Sequence, residues 1–340
     1  MKGKKKSNIF LKILLTFVAI VAIVCGVIAG FIHGKLSQID YKEDKKENFE
    51  VEVNEGVENE GYTNIALFGV DSRDNNYNNT RSDCIIIVSI NEKTKKVKLV
   101  SVYRDSYLKI PNYSFDKITH AFAFGGPKLS VNTLNTNLDL DISKYVAVNF
   151  DVVVDAVDAV GGIQMDITTE ETKYINSYIG EIEEVCGKKS ERITKAGNYN
   201  LNGVQALAYS RIRYTAGGDY KRTERMRDVL MKTFAKAKKL NLVELNNLSN
   251  KILPELSTNI SSLEIISLVS KATKYEIDDS IGWPYEIRAY QPSGVWYGAP
   301  VNLEENVKKL HKALFDEEDY EVSNTLKNIS NELIKKTGYK

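Results

Sequence analysis

The chain has 340 residues, of which 43% are hydrophobic and 27% charged, so it can bury the core of one large domain or two small ones. Its formal net charge of +1 offers no basic excess for nucleic-acid binding, and any anion site must come from local clusters of Arg and Lys. The three histidines are scattered, and no Cys/His spacing matches a zinc site, which argues against zinc chemistry.

Residues 13–32 form an uncharged, mostly apolar run that is long enough to span a bilayer as a helix. Lysines flank the run on both sides, so the charge rule favours a cytoplasmic N-terminus only slightly. A cleaved signal peptide is the alternative, although its apolar region is normally shorter. We predict a tail at 1–8, a retained transmembrane signal anchor at 9–32 and a polar linker at 33–60.

Beyond the linker, two apolar runs predict buried strands on either side of a polar loop. Asp71 and Arg73 begin this loop, and Arg81 and Asp83 end it. Residues two apart in extended backbone point to the same side, so each strand end presents one carboxylate and one guanidinium together. Such groups suit a metal ion that shares its site with phosphate oxygens. A polar loop with two surface ion pairs is the alternative.

Strands and helices alternate through the rest of the chain, which predicts a layered α/β/α domain. Residues 170–200 are predicted to be an exposed polar excursion, and 322–336 a loosely attached final helix. The other predicted elements are a strand at 97–103, a helix at 127–138, a strand at 145–150, a helix at 151–160, a strand at 163–167, helices at 202–210, 219–240, 242–256 and 261–275, aromatic strands within 282–297 and a helix at 303–315.

Four arginines in the second half of the chain form a candidate anion site. Arg211 and Arg213 share a face if their backbone is extended. Arg222 and Arg225 are an i,i+3 pair near the N-terminus of a helix, where the helix dipole favours anions. A solvated basic face is the alternative, but Arg is better suited than Lys to clamp phosphate, and these four positions are Arg in a Lys-rich chain.

Two further pairs of residues have simple structural interpretations. Lys117 and His120 are interpreted as a surface lysine in a loop and a packed or surface histidine. Cys84 and Cys186 could form a disulfide outside the cell, but a buried, inert thiol suits the strand-like surroundings of Cys84.

Taken in order, these motifs resemble the LytR–CpsA–Psr family of membrane-anchored glycopolymer transferases over about residues 62–316. The motifs that carry the resemblance are, in chain order, Gly69–Arg73, Arg81–Asp83, Ser101–Asp105, Lys117–Gly126, Val160–Gly162, Leu201–Arg213 and Asp219–Arg225. The resemblance implies a cytoplasmic tail, an extracellular linker and a catalytic domain at 61–316 on the outer face of the cell membrane of a Gram-positive type bacterium. A C-terminal tail at 317–340, with some helix, would follow.

The resemblance also implies a function. A phosphotransferase of this family moves a glycopolymer, such as wall teichoic acid or capsule, from undecaprenyl diphosphate onto the muramic acid 6-hydroxyl of peptidoglycan through a phosphodiester. The expected fold is a central mixed β-sheet flanked by helices, with a hydrophobic tunnel for the polyprenyl chain. Two alternatives stay open: a polyprenyl-diphosphate hydrolase, and a non-catalytic envelope regulator that binds polyprenyl lipids.

Site residues follow from the matching motifs. Asp71 and Asp83 resemble the ligands of Mg²⁺, with Mn²⁺ as an alternative metal, and Arg104, Asp71 and Arg81 are the candidate catalytic residues. The residues that resemble the diphosphate-binding set are Arg73, Arg81, Arg104, Lys117, Arg211, Arg213 and Arg222. Tyr103 stands where the family usually has Pro, and Met226 where it usually has Gln. Because Met cannot donate a hydrogen bond, we expect altered affinity rather than inactivity.

Overall fold

The computed structural model of this chain describes residues 49–71, 77, 79–271 and 274–340. Within that part of the chain, no helix is both long and apolar enough to cross a membrane. The anchor predicted at 9–32 lies outside the described residues.

The strands are β1 (Tyr62–Val70), β2 (Ser82–Asn91), β3 (Lys96–Val102), β4 (Tyr107–Lys109), β5 (Phe115–Lys117), β6 (Lys144–Val148), β7 (Ile163–Ile167), β8 (Gly197–Leu201), β9 (Ser257–Thr258), β10 (Glu276–Trp283), β11 (Ile287–Tyr290) and β12 (Tyr297–Pro300). The helices are α1 (Ile118–Leu138), α2 (Phe150–Ala159), α3 (Thr169–Cys186), α4 (Gly203–Arg211), α5 (Gly218–Ala237), α6 (Leu242–Ile252), α7 (Ser262–Lys271), α8 (Leu303–Phe315) and α9 (Asn324–Thr337).

The central sheet has the strand order β10-β3-β2-β1-β6-β9. Strands β1, β2 and β3 form an antiparallel meander, whereas β6 runs parallel to β1 and β10 runs parallel to β3. The β-branched residues of β1 and β2 favour this pleated, buried environment. The prediction of a central mixed sheet in an α/β fold is therefore confirmed.

The two faces of the sheet bury different side chains. Because side chains alternate along a strand, Ala66 and Phe68 of β1 join a core that α1, α8 and α9 complete. Ile65 and Leu67 point to the opposite face, where residues of β2, β3, α5 and α7 pack against them. Helices thus cover both faces, as the predicted layering requires. A further cluster joins α2, α3 and α4 to the hairpin of β7 and β8.

Helix α9 belongs to the first of these cores, although the sequence predicts only loose attachment. Leu326 and Leu333 of α9 are fully buried. Asp139, a buried carboxylate at the end of α1, accepts hydrogen bonds from the backbone N–H of Ser323 at 2.8 Å and from its hydroxyl at 2.7 Å. Asp139 also accepts a hydrogen bond from the side-chain amide of Asn54 at 2.5 Å. One carboxylate therefore joins α1 to the segments that flank residues 61–316.

The prediction of an exposed excursion at 170–200 is wrong. Helix α3 occupies its first half and begins with a capping box in which Thr168 and Glu171 satisfy each other's backbone donors. Ile175, Ile179 and Ile182 lie along one face of α3 and are buried. The opposite face of the helix carries the charged residues that gave the segment its polar composition.

Candidate active site

A cavity of about 610 Å³ lies between the sheet and helices α2, α3, α4 and α5. Most of its wall is apolar and comes from β1, β2, β6 and these helices. Representative wall residues are Leu67, Ile86, Val148, Val153, Met226 and Leu230. Ile252 and Leu256 add to the wall, so the end of the predicted helix at 242–256 contributes to it. The wall can hold an apolar chain.

Charged residues gather at one end of this cavity. Of the predicted site residues, five line it: Asp83, Arg104, Arg211, Arg213 and Arg222. They come from the start of β2, the residues just after β3, the end of α4 with the turn that follows it, and the first turns of α5, so the fold assembles them from distant parts of the chain. An apolar cavity with a cationic end suits an amphiphile that has an anionic head group.

A β-bulge places Asp83 at this end. Gly69 pairs with Cys84 and Val70 pairs with Ser82, so Asp83 is the extra residue of β2. A Cβ atom on Gly69 would lie 2.9 Å from the Cβ of Cys84, so this close approach requires glycine. The bulge turns the Asp83 carboxylate toward the end of β3.

Arg104 follows β3 and pairs with two carboxylates, one of which also pairs with a lysine. Its NH1 atom donates to Oδ1 of Asp83 at 2.5 Å, and its Nε atom lies 3.6 Å from Oδ2 of Asp105. The other carboxylate oxygen of Asp105 lies 2.9 Å from Nζ of Lys117. Lys117 does not line the cavity, but Asp105 holds it beside Arg104. The simple interpretation of Lys117 as a surface loop residue therefore does not hold.

Arg222 is the most deeply buried cation of the cluster, with a side chain that is 6% exposed. Its NH2 atom lies 2.6 Å from Oδ1 of Asp219. Burial raises the pKa of Asp219, and the nearby guanidinium of Arg222 opposes that shift. Asp219 begins one of the family motifs but is not among the predicted site residues, although its position three residues before Arg222 on a helix indicates the pair.

Arg211 and Arg213 reach the same cavity, as their spacing predicts. Arg211 is the last residue of α4, and Ile212 leaves the helix in an extended conformation. The Arg211 guanidinium lies over the ring of Phe150 at 4.6 Å, and that of Arg213 lies over the ring of Tyr214 at 5.3 Å. Aromatic faces support both cations, and Glu181, which also lines the cavity, lies 3.7 Å from NH2 of Arg211.

The Nε atoms of Arg104, Arg211 and Arg222 are buried and form no hydrogen bond with the described residues. Buried donors of this kind normally have an acceptor, because leaving one unpaired costs about 1–3 kcal/mol. Three such donors around one cavity suit a ligand that is an anion and accepts hydrogen bonds from guanidinium groups. Phosphate oxygens match the geometry of guanidinium groups better than most anions do.

Besides Lys117, two predicted residues in the described part of the chain do not line the cavity. Asp71 and Arg81 are exposed, do not line it, and form no ion pair or hydrogen bond with the described residues. Arg73 lies outside the described residues. The predicted catalytic roles of Asp71 and Arg81 therefore stay predictions.

The carboxylates of Asp71 and Asp83 suit magnesium if phosphate oxygens complete the site. In the part of the chain that the structure describes, no group of three or more His, Cys, Asp or Glu residues could hold a metal ion. Mg²⁺ commonly binds to one or two carboxylates together with waters and substrate phosphates. Asp71 directly follows β1, and Asp83 lies at the bulge of the adjacent strand. This donor set fits a metal that binds with a diphosphate, and Mg²⁺ or Mn²⁺ stays a prediction.

The two departures from the family pattern have packing roles. Met226 lies in the apolar wall of the cavity. Tyr103 packs edge-on against Tyr220, with ring centroids 4.6 Å apart. Both Cys84 and Cys186 are free thiols, and burial raises the pKa of Cys84 to about 12, which keeps it inert.

The chain belongs to the LytR_cpsA_psr family, whose model matches residues 27–311. A similar curated protein is the polyisoprenyl-teichoic acid–peptidoglycan teichoic acid transferase TagT of Bacillus subtilis (strain 168). It is 28% identical over 307 residues, which cover 87% of this chain and 91% of TagT.

Solved structures of the same family superimpose on the fold. TagT bound to LIIa-WTA is 29% identical with a TM-score of 0.59, and the match covers 75% of this chain and 92% of that one. The LytR-CPS2A-psr family protein YwtF (TagT) with bound octaprenyl pyrophosphate lipid is 27% identical with a TM-score of 0.56. That match covers 75% of this chain and 91% of the other.

Proposed function

We propose that this protein is a phosphotransferase that moves a glycopolymer from an undecaprenyl-diphosphate carrier onto peptidoglycan through a phosphodiester bond. The observation that carries the proposal is the set of three buried guanidinium Nε donors at one end of an apolar cavity. A polyprenyl diphosphate combines the two parts that this arrangement suits, an apolar chain and an anionic head. The names of similar proteins support the same substrate class.

The chemistry follows from the positions of the charges. An acceptor sugar hydroxyl attacks the phosphorus that carries the polymer, the P–O bond to the lipid phosphate breaks, and undecaprenyl phosphate leaves. Arg104, Arg211 and Arg222 stabilise the charge that moves onto the departing phosphate. When bound, Mg²⁺ would neutralise part of the diphosphate charge. The hydroxyl proton is released, and Asp71, Asp74 and Asp105 are candidates, by their proximity in the sequence, to accept it.

We also propose a location. The apolar run at 9–32 anchors the chain in the cell membrane, and the catalytic domain lies on its outer face, where peptidoglycan is found. A carrier lipid in the same bilayer could then pass its head group to the cavity. The anchor and the lipid-binding cavity support this arrangement together.

Narrowing the cavity should reduce lipid binding. Ala156 of α2 lines the cavity, and the Ala156→Trp variant would fill part of it with an indole. We expect at least a tenfold weaker affinity for a polyprenyl diphosphate, which corresponds to about 1.4 kcal/mol, in a direct binding measurement. Gln164→Trp, an exposed position on β7 outside the cavity, is the control. Unchanged affinity of the Ala156 variant would place the lipid elsewhere.

The proposal is tested by mass analysis of lipid and glycan products. The full-length protein is incubated with Mg²⁺, a lipid-diphosphate saccharide and peptidoglycan fragments. We expect a sugar phosphodiester on the peptidoglycan fragment and free polyprenyl phosphate. Free sugar phosphate would instead support the hydrolase, and bound but unchanged lipid would support a non-catalytic lipid-binding regulator.

A further inference from the structure

An exposed pair of aromatic rings lies near Lys117 and has no role in the core. Tyr113 is 48% exposed and Phe124 is 45% exposed. Their rings are stacked, with centroids 5.0 Å apart and planes inclined by 24°. His120 continues the surface, with its ring centroid 5.8 Å from that of Phe124. We call these three side chains the aromatic platform.

Local backbone features project the two rings outward. Tyr113 ends the turn between β4 and β5, in which Asn112 has a φ of 63° and Tyr113 N–H donates to the carbonyl of Ile110 at 2.9 Å. Phe124 precedes a kink in α1 where Gly126 has a φ of 64°. A turn and a helix kink, both of which require residues with positive φ, therefore hold the two aromatic rings facing solvent.

The aromatic platform is firmly connected to the charged cluster. His120 Nδ1 lies 2.9 Å from Oδ2 of Asp116, and the next residue, Lys117, pairs with Asp105. The backbone N–H of Thr119 donates to the carbonyl of Arg104 at 3.1 Å. The start of α1 therefore fixes the platform relative to Arg104.

The chemistry of the platform suits a saccharide. Stacked aromatic rings offer a flat apolar surface on which the C–H face of a pyranose can pack. The carboxylate of Asp116 and the ring of His120, each about one quarter exposed, can exchange hydrogen bonds with sugar hydroxyls. An exposed aromatic patch beside a candidate active site marks a binding surface more readily than a structural one.

The position of the aromatic platform indicates that it binds the acceptor glycan rather than the lipid-linked donor. Leu67 and Ile86, which line the cavity, belong to the core on one face of the sheet. Helix α1 packs against the other face, where Phe122 contacts the ring of Phe68, a residue that also borders the cavity. Asp83 and Arg104 lie at the end of the sheet where β2 begins and β3 ends, between its two faces. In an in-line displacement at phosphorus, the nucleophile enters opposite the leaving group. If the lipid phosphate leaves toward the cavity, the attacking hydroxyl comes from the side of α1.

We infer that the aromatic platform of Tyr113, His120 and Phe124 binds the acceptor glycan and positions its hydroxyl for attack. The inference rests on the proposed phosphotransferase function and assigns these residues to the acceptor rather than to the lipid-linked donor. They are positioning residues, because they act on the acceptor sugar rather than on the reacting phosphorus.

The test compares the Phe124→Ala and Tyr113→Ala variants of the full-length protein with wild type. We expect the KM for a soluble peptidoglycan oligosaccharide to rise about tenfold in each, with kcat at saturating acceptor and the affinity for polyprenyl diphosphate unchanged. The Phe124→Trp variant keeps a flat ring and should retain a near-normal KM. Tyr285→Ala, which removes another exposed aromatic side chain beside α8, is the matched control.

An unchanged acceptor KM in both alanine variants would overturn the inference. So would an equal loss of donor affinity, because the platform would then serve the donor glycan. Binding of the oligosaccharide to wild type and variants without any lipid present is measured in parallel. This binding measurement tests the platform even if the wild-type protein hydrolyses the donor. Failure of the inference can therefore be distinguished from failure of the proposed function.

Discussion

Replacing Arg104 with Ala is expected to reduce glycopolymer transfer by about 10²–10³-fold, as loss of a single donor to a developing oxyanion does in other enzymes. Arg104 lines the cavity between Asp83 and Asp105, and its buried Nε forms no hydrogen bond with the described residues. Lys117 still pairs with Asp105 in the variant. We therefore expect a circular dichroism spectrum and a melting temperature close to those of wild type.

Arg211→Ala should give a similar loss, because Arg211 offers a second unpaired Nε to the same cavity. Arg288→Ala is the matched control, since Arg288 packs over Tyr339 and does not line the cavity. Transfer is measured as the rate of phosphodiester formation. Normal rates in both the Arg104 and the Arg211 variants would remove the basis for the charged cluster as the active site.

Replacing Arg225 with Met should destabilise the protein by about 3–5 kcal/mol, the usual cost of breaking a buried ion pair. Arg225 is 2% exposed, and its three guanidinium nitrogens are all used. They donate to Glu171 at 2.9 Å, to the carbonyl of Ile212 at 2.8 Å and to the hydroxyl of Thr215 at 2.8 Å. The variant leaves Glu171 as a buried carboxylate without its cation.

The Glu171→Gln variant of its partner separates the contribution of charge to stability from that of packing. Gln can still complete the capping box with Thr168, so the double variant lacks both buried charges and should recover part of the lost stability. Urea unfolding of the four proteins in this double-mutant cycle gives the coupling free energy. A coupling near zero would show that Arg225 and Glu171 do not depend on each other.

The contrast between Arg222 and Arg225 shows what sequence spacing can and cannot predict. Both residues lie on one face of α5 near its N-terminus, and the sequence analysis treated them as one anion-binding pair. In the structure, Arg222 faces the cavity with an unpaired Nε. Arg225 instead holds the carbonyl of Ile212, and so fixes the turn that follows Arg211. Only the tertiary contacts of Glu171 and Thr215 distinguish the two.

Elements with strong periodicity were predicted well, and a polar composition concealed one of them. The strand at 163–167 and the helix at 303–315 have the predicted bounds. Helix α3 was missed because charged residues dominate 170–200. The spacing of Ile175, Ile179 and Ile182, together with the capping box that Thr168 begins, was a sufficient signal.

The cavity could be predicted from the sequence only in outline. The family resemblance implies a hydrophobic tunnel without assigning its walls, and in the structure most of the described wall comes from the sheet and from α2, α3 and α5. Residues such as Val148 and Leu230 look like ordinary core positions in the sequence. Whether an apolar face is packed or left open depends on the arrangement of neighbouring elements, which local patterns do not encode.

The most direct test of the proposed function is the source of the oxygen that replaces the lipid phosphate. The full-length protein is incubated in water enriched in ¹⁸O with Mg²⁺, a lipid-diphosphate saccharide and peptidoglycan fragments. The masses of the glycan products are then measured by mass spectrometry. A transferase gives a sugar phosphodiester linked to the acceptor without ¹⁸O, because the acceptor hydroxyl supplies the new oxygen. A sugar phosphate that carries ¹⁸O, formed in place of the phosphodiester, would contradict the proposed transfer.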